Sequence, residues 1–364
     1  MQQFEKRNMY MLKGPLKRRG YDWWRHFFTG VNKQTGEQKA FFIEYFIINP
    51  ARSPQNVVIG NNGAARPSYV MIKAGTWGRN ACQITNFYPS EDFHKSKRHL
   101  EISVGPCCLS ESVLAGKVEC SQQDIQYHPE YMSDAGSLAW NLKLEKTITS
   151  SNNRYTNWFA RNFRGSDMYW HCQGMKTDYT GFVVFNGVEY TVTPERSYGS
   201  SDKFWGKNLE SPWLWLSSNH LVSQMNGQSL KNSALSVGEF CPDRFGRKRK
   251  IMVSFVLEGK KYEFISNKNS RNPSINYSFF DSNENLHLTM TATNRESLID
   301  VDIFCPKADA LAIMRENPMG LRCFQKMWNC GNANGKLKLF KKNKKALEIL
   351  EDAKIYNCGL EVNE

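Results

Sequence analysis

Apolar and polar residues alternate one by one along many segments of this 364-residue chain. This pattern covers residues 100–104, 138–144, 286–292 and 299–303. A period of two gives a strand one apolar and one polar face, which is typical of a half-buried antiparallel sheet. Helical periodicity is nearly absent, and only residues 308–315 and 345–355 are predicted as short helices. The predicted fold class is mainly β, with tandem antiparallel barrels or sandwiches and few short helices.

Turn signals separate these strands. Residues 182–193 are predicted to form a hairpin around Asn186-Gly187, a pair that accepts the positive φ angles of a tight turn. A second hairpin is predicted at 252–265, turning at Glu258-Gly259. The length suits one large domain or two ordinary ones. We expect an N-terminal β domain at 1–200 and a C-terminal β domain at 201–364, with a boundary free to move by tens of residues.

Composition narrows the class of protein. Hydrophobic residues make up 40% of the chain, which supports a real core and excludes intrinsic disorder. No apolar run approaches the roughly 18 residues of a membrane span, and the first 20 residues lack the apolar core of a secretory signal, so a cytoplasmic location is expected. Ten cysteines without a Cys-x-x-Cys pair indicate reduced, mostly buried thiols.

The chain carries a net charge of +13, with basic clusters at residues 13–19, 244–250, 260–261 and 336–345. Such clusters suit nucleic acid or an anionic membrane surface. No helix-turn-helix, zinc-finger or RNP-type motif accompanies them. We therefore interpret them as solvated loops and strand edges, where lysines block edge-to-edge association. Nucleic acid is not the expected partner, and weak contact with an anionic membrane surface stays open.

Familiar catalytic motifs are missing. The sequence contains no phosphate loop, dinucleotide fingerprint, His-Glu-x-x-His or Gly-x-Ser-x-Gly motif, and its seven histidines do not pair at metal-ligand spacing. These absences argue against a metalloenzyme or a familiar hydrolase. We expect no metal and no cofactor.

Aromatic residues concentrate in two segments, 21–30 and 198–219. On a strand, Trp213 and Trp215 share one face while Leu214 and Leu216 share the other, so the two indoles form a flat wall. The wall is either barrel core or the lining of a cavity for a hydrophobic molecule, since an eight-stranded barrel can hold one small ligand.

Two acids lie within aromatic surroundings. Asp202 and Lys203 precede Trp205, and a carboxyl in a Trp-lined pocket has its pKa raised by desolvation, so that it can donate a proton near neutral pH. The alternative is a solvated ion pair in a loop. Glu44 shares a strand face with Phe42 and Phe46, which predicts a position in a cavity or at its rim.

The segment from Tyr198 to Asn219 resembles the tocopherol cyclase family signature, which reads roughly Tyr-x-Glu-Lys-Asn-Trp-Gly and, after a gap, Trp-x-Trp-x-Gln-x-Asn. Residues 22–30 (DWWRHFFTG) are similar to the Glu-Trp-Trp-Tyr-x-x-Gly pattern of the related carotenoid hydratase and lipocalin-like hydrolase groups. The chain departs from the signature at Asp202, Phe204 and Ser217, where the family has Glu, Asn and Gln.

This resemblance implies a tandem lipocalin-like, calycin-type fold with a hydrophobic cavity. It also implies cyclisation or isomerisation of a prenyl or polyene substrate without metal or redox cofactor. In that interpretation Asp202 is the proton donor, and Lys203 and Tyr198 orient it or hold its charge. The ligand would contact Trp24, Glu44, Trp205, Trp213, Trp215 and Asn219. The alternative function is a non-catalytic carrier of a lipophilic molecule.

Overall fold

The computed structural model describes residues 5–51, 66–149, 168–209, 213–240, 250–266, 274–319, 324–343 and 346–363. Over these residues the chain is almost entirely antiparallel strand, with two short α-helices, α1 (Glu5–Asn8) and α2 (Gln122–Tyr127). This architecture confirms the predicted fold class.

The first sheet has twelve strands in its described part. They are β1 (Tyr21–Asn32), β2 (Gln38–Ile48), β3 (Tyr69–Thr76), β4 (Cys82–Tyr88), β5 (His94–Lys95), β6 (Glu101–Val104), β7 (Cys107–Ser110), β8 (Val113–Cys120), β9 (Gly136–Ile148), β10 (Met168–Phe185), β11 (Val188–Val192) and β12 (Gly199–Gly206). The sheet curls so that β4 meets β8, where the Asn86 side chain donates to the Glu119 carbonyl at 2.8 Å and accepts from its N–H at 3.0 Å. The sheet therefore closes into a barrel.

The second sheet has eleven strands in its described part. They are β13 (Trp213–Ser218), β14 (His220–Ser223), β15 (Ala234–Phe240), β16 (Lys250–Leu257), β17 (Lys260–Ile265), β18 (Ser274–Asp281), β19 (Asn285–Thr293), β20 (Ser297–Pro306), β21 (Leu311–Glu316), β22 (Phe324–Asn343) and β23 (Ala346–Asn363). The Asn294 side chain, in the turn between β19 and β20, donates to the Glu263 carbonyl on the edge strand β17 at 3.1 Å. The last strand of the first sheet ends at Gly206 and the first strand of the second sheet begins at Trp213.

The predicted hairpins are confirmed and the two predicted helices are wrong. Asn186 and Gly187 turn β10 into β11 with φ angles of 48° and 81°, and Glu258-Gly259 turns β16 into β17. Residues 311–315 instead belong to β21, after a single 3-10 turn at Lys307–Asp309, and residues 346–355 belong to β23. Residue 345 lies outside the described residues. Both strands pair with β22, which provides the backbone hydrogen bonds that a short isolated helix would have to supply for itself.

Three apolar layers hold the molecule together. Aliphatic side chains such as Ile43, Ile72 and Leu142 fill the first barrel, and others such as Leu216, Val253 and Leu360 fill the second. A third layer lies between the sheets, where aromatic side chains from both sheets pack against each other. We call this third layer the inter-sheet layer. It contains Tyr21, Trp23, Phe27, Phe42, Phe46, Tyr69, Trp77, Phe204, Trp213 and Trp215.

The described residues allow a comparison with the expectations about cysteines, basic clusters and membrane spans. Six of the eight described cysteines are buried, and all eight are free. Of the basic cluster at 244–250, residues 244–249 lie outside the described residues. In the described part of the chain, no helix is long and apolar enough to span a membrane.

Candidate functional site between the two sheets

A row of ionisable side chains crosses the first sheet on the face that meets the second sheet. Arg25 on β1 lies opposite Asp202 on β12 and opposite Glu44 on β2, and Glu44 lies opposite Lys73 on β3. All four are buried, with exposed fractions of 4% or less. Successive side chains of a strand point to opposite faces, so Arg25 shares its face with Trp23 and Phe27.

The second sheet completes this row with charges of its own. Glu361 on β23 forms a buried ion pair with Arg25, and Arg315 on β21 donates to Glu361 at 2.8 Å and to Glu44 at 3.3 Å. Glu361 also accepts hydrogen bonds from Trp213 Nε1 at 2.9 Å and from Asn329 Nδ2 at 3.0 Å. We call Arg25, Glu44, Lys73, Asp202, Arg315 and Glu361 the inter-sheet ion network.

Aromatic rings cover the two guanidinium groups. Arg315 Cζ lies 3.5 Å from the Trp23 ring centroid, and Arg25 Cζ lies 3.9 Å from that of Trp215 and 4.7 Å from that of Phe27. A desolvated cation–π contact contributes about 2 kcal/mol. The layer therefore stabilises positive charge with ring faces as well as with carboxylates.

Glycines let the indoles lie flat on the opposite backbone. A Cβ atom on Gly359 would lie 2.4 Å from the Trp215 ring, and one on Gly331 would lie 2.1 Å from the ring of Trp77. Real Cβ atoms do not approach other atoms so closely. Gly359 therefore lets Trp215 lie across the neighbouring strand of its own sheet, and Gly331 lets Trp77 from the first sheet approach the backbone of the second.

Asp202 is the acid that is best placed to exchange a proton near neutral pH. Its Oδ1 accepts a hydrogen bond from Trp170 Nε1 at 2.7 Å. Complete burial raises the pKa of Asp202 from 3.8 to about 6, although the positive charge of Arg25 and the Trp170 hydrogen bond lower it in part. Near pH 6, about half of this carboxyl is neutral and can act as an acid.

Neighbouring groups of the network titrate differently. Burial alone would raise the pKa of Glu361, but the charges of Arg25 and Arg315 outweigh it and hold the pKa below the ordinary value. Burial lowers the pKa of Lys73 to about 8, so Lys73 is still mostly charged at pH 7. Environments that push apart the pKa values of nearby acids are typical of acid–base sites.

Lys203 does not belong to this site, contrary to its predicted role beside Asp202. It is fully buried on the opposite face of β12, inside the first barrel, where it pairs with Asp22 and lies 3.5 Å from the Trp24 ring centroid. Burial lowers the pKa of Lys203 well below its ordinary value. The alternative interpretation of Asp202 and Lys203 as a solvated loop pair is also wrong, because both are buried residues of a strand.

Some of the remaining predicted site residues lie in the inter-sheet layer, and the others lie on the opposite face of the first sheet or at contacts between strands. Glu44, Trp213 and Trp215 lie in the layer, with the two indoles on one face as predicted. Trp24 and Trp205 share the face of Lys203, and Trp205 stacks on Tyr169 with 5.3 Å between centroids. Tyr198 stacks on His220 at 3.6 Å, and the Asn219 amide donates to the carbonyls of Met175 and Gly199. These last contacts fasten strands together and do not reach the Asp202 carboxyl.

A narrow crevice enters the inter-sheet layer beside the network. Its lining includes Phe27, Ser200 and Ser217, each two residues along its strand from Arg25, Asp202 and Trp215 respectively. Tyr198 and Asn357 also line it. Its free volume is about 10 Å³, the space of roughly one water molecule. The Trp213 indole is packed on Trp23 and Phe204, with centroid distances of 5.8 and 5.0 Å, rather than facing an open cavity.

Sequence reasoning missed the partners of Asp202. Arg25, Trp170, Arg315 and Glu361 were not predicted as site residues. A signal existed for Arg25, because an arginine in the strand run Trp23-Trp24-Arg25-His26-Phe27 must lie on an aromatic face. Glu361 carried a similar signal, since it interrupts the apolar stretch from Cys358 to Val362. Among the described residues, no group of three or more His, Cys, Asp or Glu side chains is arranged to hold a metal ion.

Comparisons with known proteins locate similar folds at low identity. No family model and no curated protein match the sequence. A candidate AttH protein from Nitrosomonas europaea is 11% identical over 94% of this chain and 92% of its own, with a TM-score of 0.48. Kievitone hydratase from Nectria haematococca is 10% identical over 98% of this chain and 93% of its own, also with a TM-score of 0.48. At these identities, neither structure assigns an activity to this chain.

Proposed function

We propose that the protein binds a hydrophobic, polyene or prenyl-quinol-like molecule in the inter-sheet layer and that Asp202 protonates it. The reaction would be a cofactor-independent, acid-assisted cyclisation or isomerisation. One observation carries the proposal: a buried carboxyl with a pKa of about 6 lies opposite the aromatic-covered guanidinium of Arg25. Ser200, two residues along β12 from Asp202, lines the crevice. The resemblance of residues 198–219 to the tocopherol cyclase signature agrees with this chemistry.

The proposed reaction balances without a co-reactant. The Asp202 carboxyl transfers its proton to a carbon–carbon double bond and leaves a carbocation on the substrate. A hydroxyl oxygen or a second double bond of the same molecule bonds to that carbon and closes a ring. Loss of one proton to the Asp202 carboxylate then restores the acid. The product is an isomer of the substrate with the same mass.

Binding requires the two sheets to move apart at the crevice. Ligand pockets usually enclose about 300–1,000 Å³, far more than the free volume beside Ser200 and Ser217. Among the described strands, none of one sheet pairs with a strand of the other. Separation at the crevice would therefore break side-chain packing but no backbone ladder. In this proposal Glu44, Trp213 and Trp215 contact the ligand, whereas Lys203, Tyr198, Trp24, Trp205 and Asn219 stabilise the surrounding strands.

The test is conversion of a prenylated hydroquinone by wild type, Asp202→Asn and Asp92→Asn. Asp92 is an exposed aspartate between β4 and β5 and serves as the matched control. Liquid chromatography with mass detection would reveal a chromanol-type product of unchanged mass. Removal of a general acid typically lowers the rate about 10²–10⁴-fold, so Asp202→Asn should lose turnover while Asp92→Asn keeps it. Equal turnover by wild type and Asp202→Asn would show that the assigned role is wrong.

A carrier is the second candidate function, and one observation favours it. Asp202 is not among the residues that line the crevice, so a ligand seated there without further opening would not meet the acid. Organic extraction of the purified protein separates the two functions. A co-purified lipid or pigment that survives long incubation unchanged favours a carrier, whereas its conversion to an isomer of equal mass favours a cyclase.

A further inference from the structure

Buried hydrogen-bond donors outnumber carboxylate acceptors in the inter-sheet layer. Nε and Nη2 of Arg25, Nε and Nη1 of Arg315, and Nε1 of Trp23 have no hydrogen-bond partner among the described residues. Among the carboxylate oxygens of the ion network, Oε2 of Glu44 and Oδ2 of Asp202 also have no hydrogen-bond partner among the described residues. A buried donor without a partner costs about 1–3 kcal/mol, and more when it is charged. The unpaired groups therefore favour a ligand that offers oxygen acceptors.

Charge in the network points the same way. Arg25, Lys73 and Arg315 are cations, and Glu44 and Glu361 are anions. When Asp202 is neutral, three positive charges face two negative ones, and an unbalanced buried charge is unfavourable. One additional negative charge would balance these six side chains. Either an ionised Asp202 or an anionic ligand can supply it. The buried Glu316 carboxylate, which accepts a hydrogen bond from Tyr69 at 3.0 Å, lies outside this count.

We infer that the ligand carries an anionic, oxygen-bearing head, such as a carboxylate or an enolate, which binds Arg25 and Arg315 and whose binding is coupled to proton uptake by Asp202. This inference deepens the proposed function, because it concerns the same site. Planar guanidinium groups bind such heads through paired N–H donors, and both groups are already held in place by Glu361 and by aromatic rings.

The coupling follows from the groups around Asp202. Arg25 faces it from β1, Cys172 and Tyr179 from β10, and Trp215 from β13. Burial raises the pKa of the Cys172 thiol and of the Tyr179 phenol well above their ordinary values, so both are neutral. Arg25 is the one charged group in this set. A ligand anion that engages Arg25 weakens the support for ionised Asp202 and places a like charge nearby, so the carboxyl takes a proton.

This coupling has a mechanistic consequence. Above pH 6 the free protein holds Asp202 mostly ionised. The bound anion would convert it to the neutral acid that the proposed reaction needs. The substrate would thereby prepare its own proton donor, and a neutral analogue would not.

The test compares all-trans-retinoic acid with methyl retinoate and retinol, three molecules with the same polyene chain. Quenching of tryptophan fluorescence gives affinities, and calorimetry at pH 7.5 in two buffers of different ionisation enthalpy gives the protons bound. We expect the acid to bind about tenfold or more tightly than the ester or the alcohol, with uptake of about one proton. Asp202→Asn should keep the preference for the acid and lose the proton uptake. Equal affinities for the three ligands, or no binding of any of them, would overturn the inference.

Arg315→Lys tests the guanidinium directly, with the exposed Arg295→Lys as its matched control. Lysine keeps the charge opposite Glu44 and Glu361 but lacks the planar pair of donors. Arg315→Lys should weaken retinoic acid binding about tenfold and leave retinol binding unchanged, while Arg295→Lys changes neither. If circular dichroism shows that Arg315→Lys does not fold, the wild-type acid-to-alcohol ratio and the proton uptake decide the question.

The outcomes also separate this inference from the proposed catalysis. Preferential binding of the acid with proton uptake, but no isomerised product from any probe, sinks the catalytic proposal and leaves the anionic site in place. Conversion of the prenylated hydroquinone together with equal binding of acid and alcohol removes the anionic site alone.

Discussion

The interior of the second barrel and the inter-sheet layer are both buried, and strands of the second sheet contribute side chains to both, but the two regions are filled differently. On β23, Leu360 points into the barrel among aliphatic side chains, and its neighbour Glu361 points into the inter-sheet layer among charges and indoles. On β13, Leu214 and Leu216 face the interior, while Trp213 and Trp215 face the layer.

This contrast separates stability from chemistry. Burying aliphatic surface stabilises a fold by roughly 25 cal/mol per Å², whereas a buried ion pair returns little beyond its desolvation cost. Two sheets can pack on apolar surface alone, so the charges between them are not needed to hold them together. A donor-rich, aromatic-lined layer with one raised acid is better suited to bind and protonate a ligand.

The largest expected effect is that of Glu361→Ala. The substitution removes the carboxylate that pairs with Arg25 and Arg315, and two buried guanidiniums lose their main counter-ion. Breaking such a pair costs about 3–5 kcal/mol, to be measured as the free energy of unfolding in urea. Glu348→Ala, an exposed change on the same strand, should cost no more than about 0.5 kcal/mol. If both variants unfold at the same urea concentration, the ion pairs of Glu361 do not contribute the stability assigned to them.

Leu360→Ala is the matching change on the other face of β23. It leaves a cavity in the second barrel and should cost about 2–5 kcal/mol. Because no titratable group contributes to this loss, the cost should be the same at pH 5 and pH 8, and the retinoic acid affinity of the folded protein should not change. If Leu360→Ala weakened ligand binding, the packing of the barrel interior would affect the inter-sheet layer, and stability and binding would not be separate.

The pH dependence of stability tests the environment of Asp202. Its pKa in the folded protein, about 6, exceeds the value of 3.8 expected when unfolded, so the native state holds the extra proton between these values. Wild type should therefore lose stability relative to Asp202→Asn as pH rises from about 4 to about 6, by about 3 kcal/mol in total. Urea unfolding of both proteins at several pH values gives this difference. A difference that stays constant from pH 4 to pH 7 contradicts the raised pKa.

A smaller effect is expected from Gly359→Ala. The added Cβ meets the Trp215 ring at 2.4 Å, and overpacking of this kind costs about 1–3 kcal/mol. Replacing Trp215 by Phe should relieve the clash, so the cost of Gly359→Ala should fall in the Trp215→Phe background. A double-mutant cycle in urea measures the coupling, and additive costs would show that the indole does not rest on this glycine.

The sequence predicted those features that depend on neighbours along the chain. Alternation located strands such as β9 and β19, placed Trp213 and Trp215 on one face, and put Glu44 with Phe42 and Phe46. It failed for residues 346–355, because Ala346, Leu350 and Ala353 have the i, i+4, i+7 spacing of a helix face, and a register shift in the pairing with β22 breaks the period of two there.

The site itself depends on contacts that no local pattern encodes. Arg25 and Glu361 are 336 residues apart, and the register that brings them together is set by the packing of two separate sheets. The sequence does predict that Asp202 and Lys203 lie on opposite faces of β12, because adjacent residues of any strand point to opposite faces.

The central claim is that burial in the inter-sheet layer raises the pKa of the Asp202 carboxyl from 3.8 to about 6. Infrared difference spectra of wild type minus Asp202→Asn, recorded from pH 4 to pH 8, isolate the carbonyl stretch of this one protonated carboxyl. We expect the band to be lost with a midpoint near pH 6, and to persist to higher pH when retinoic acid is bound. A midpoint close to 4, the value of an ordinary solvated aspartate, would contradict the claim.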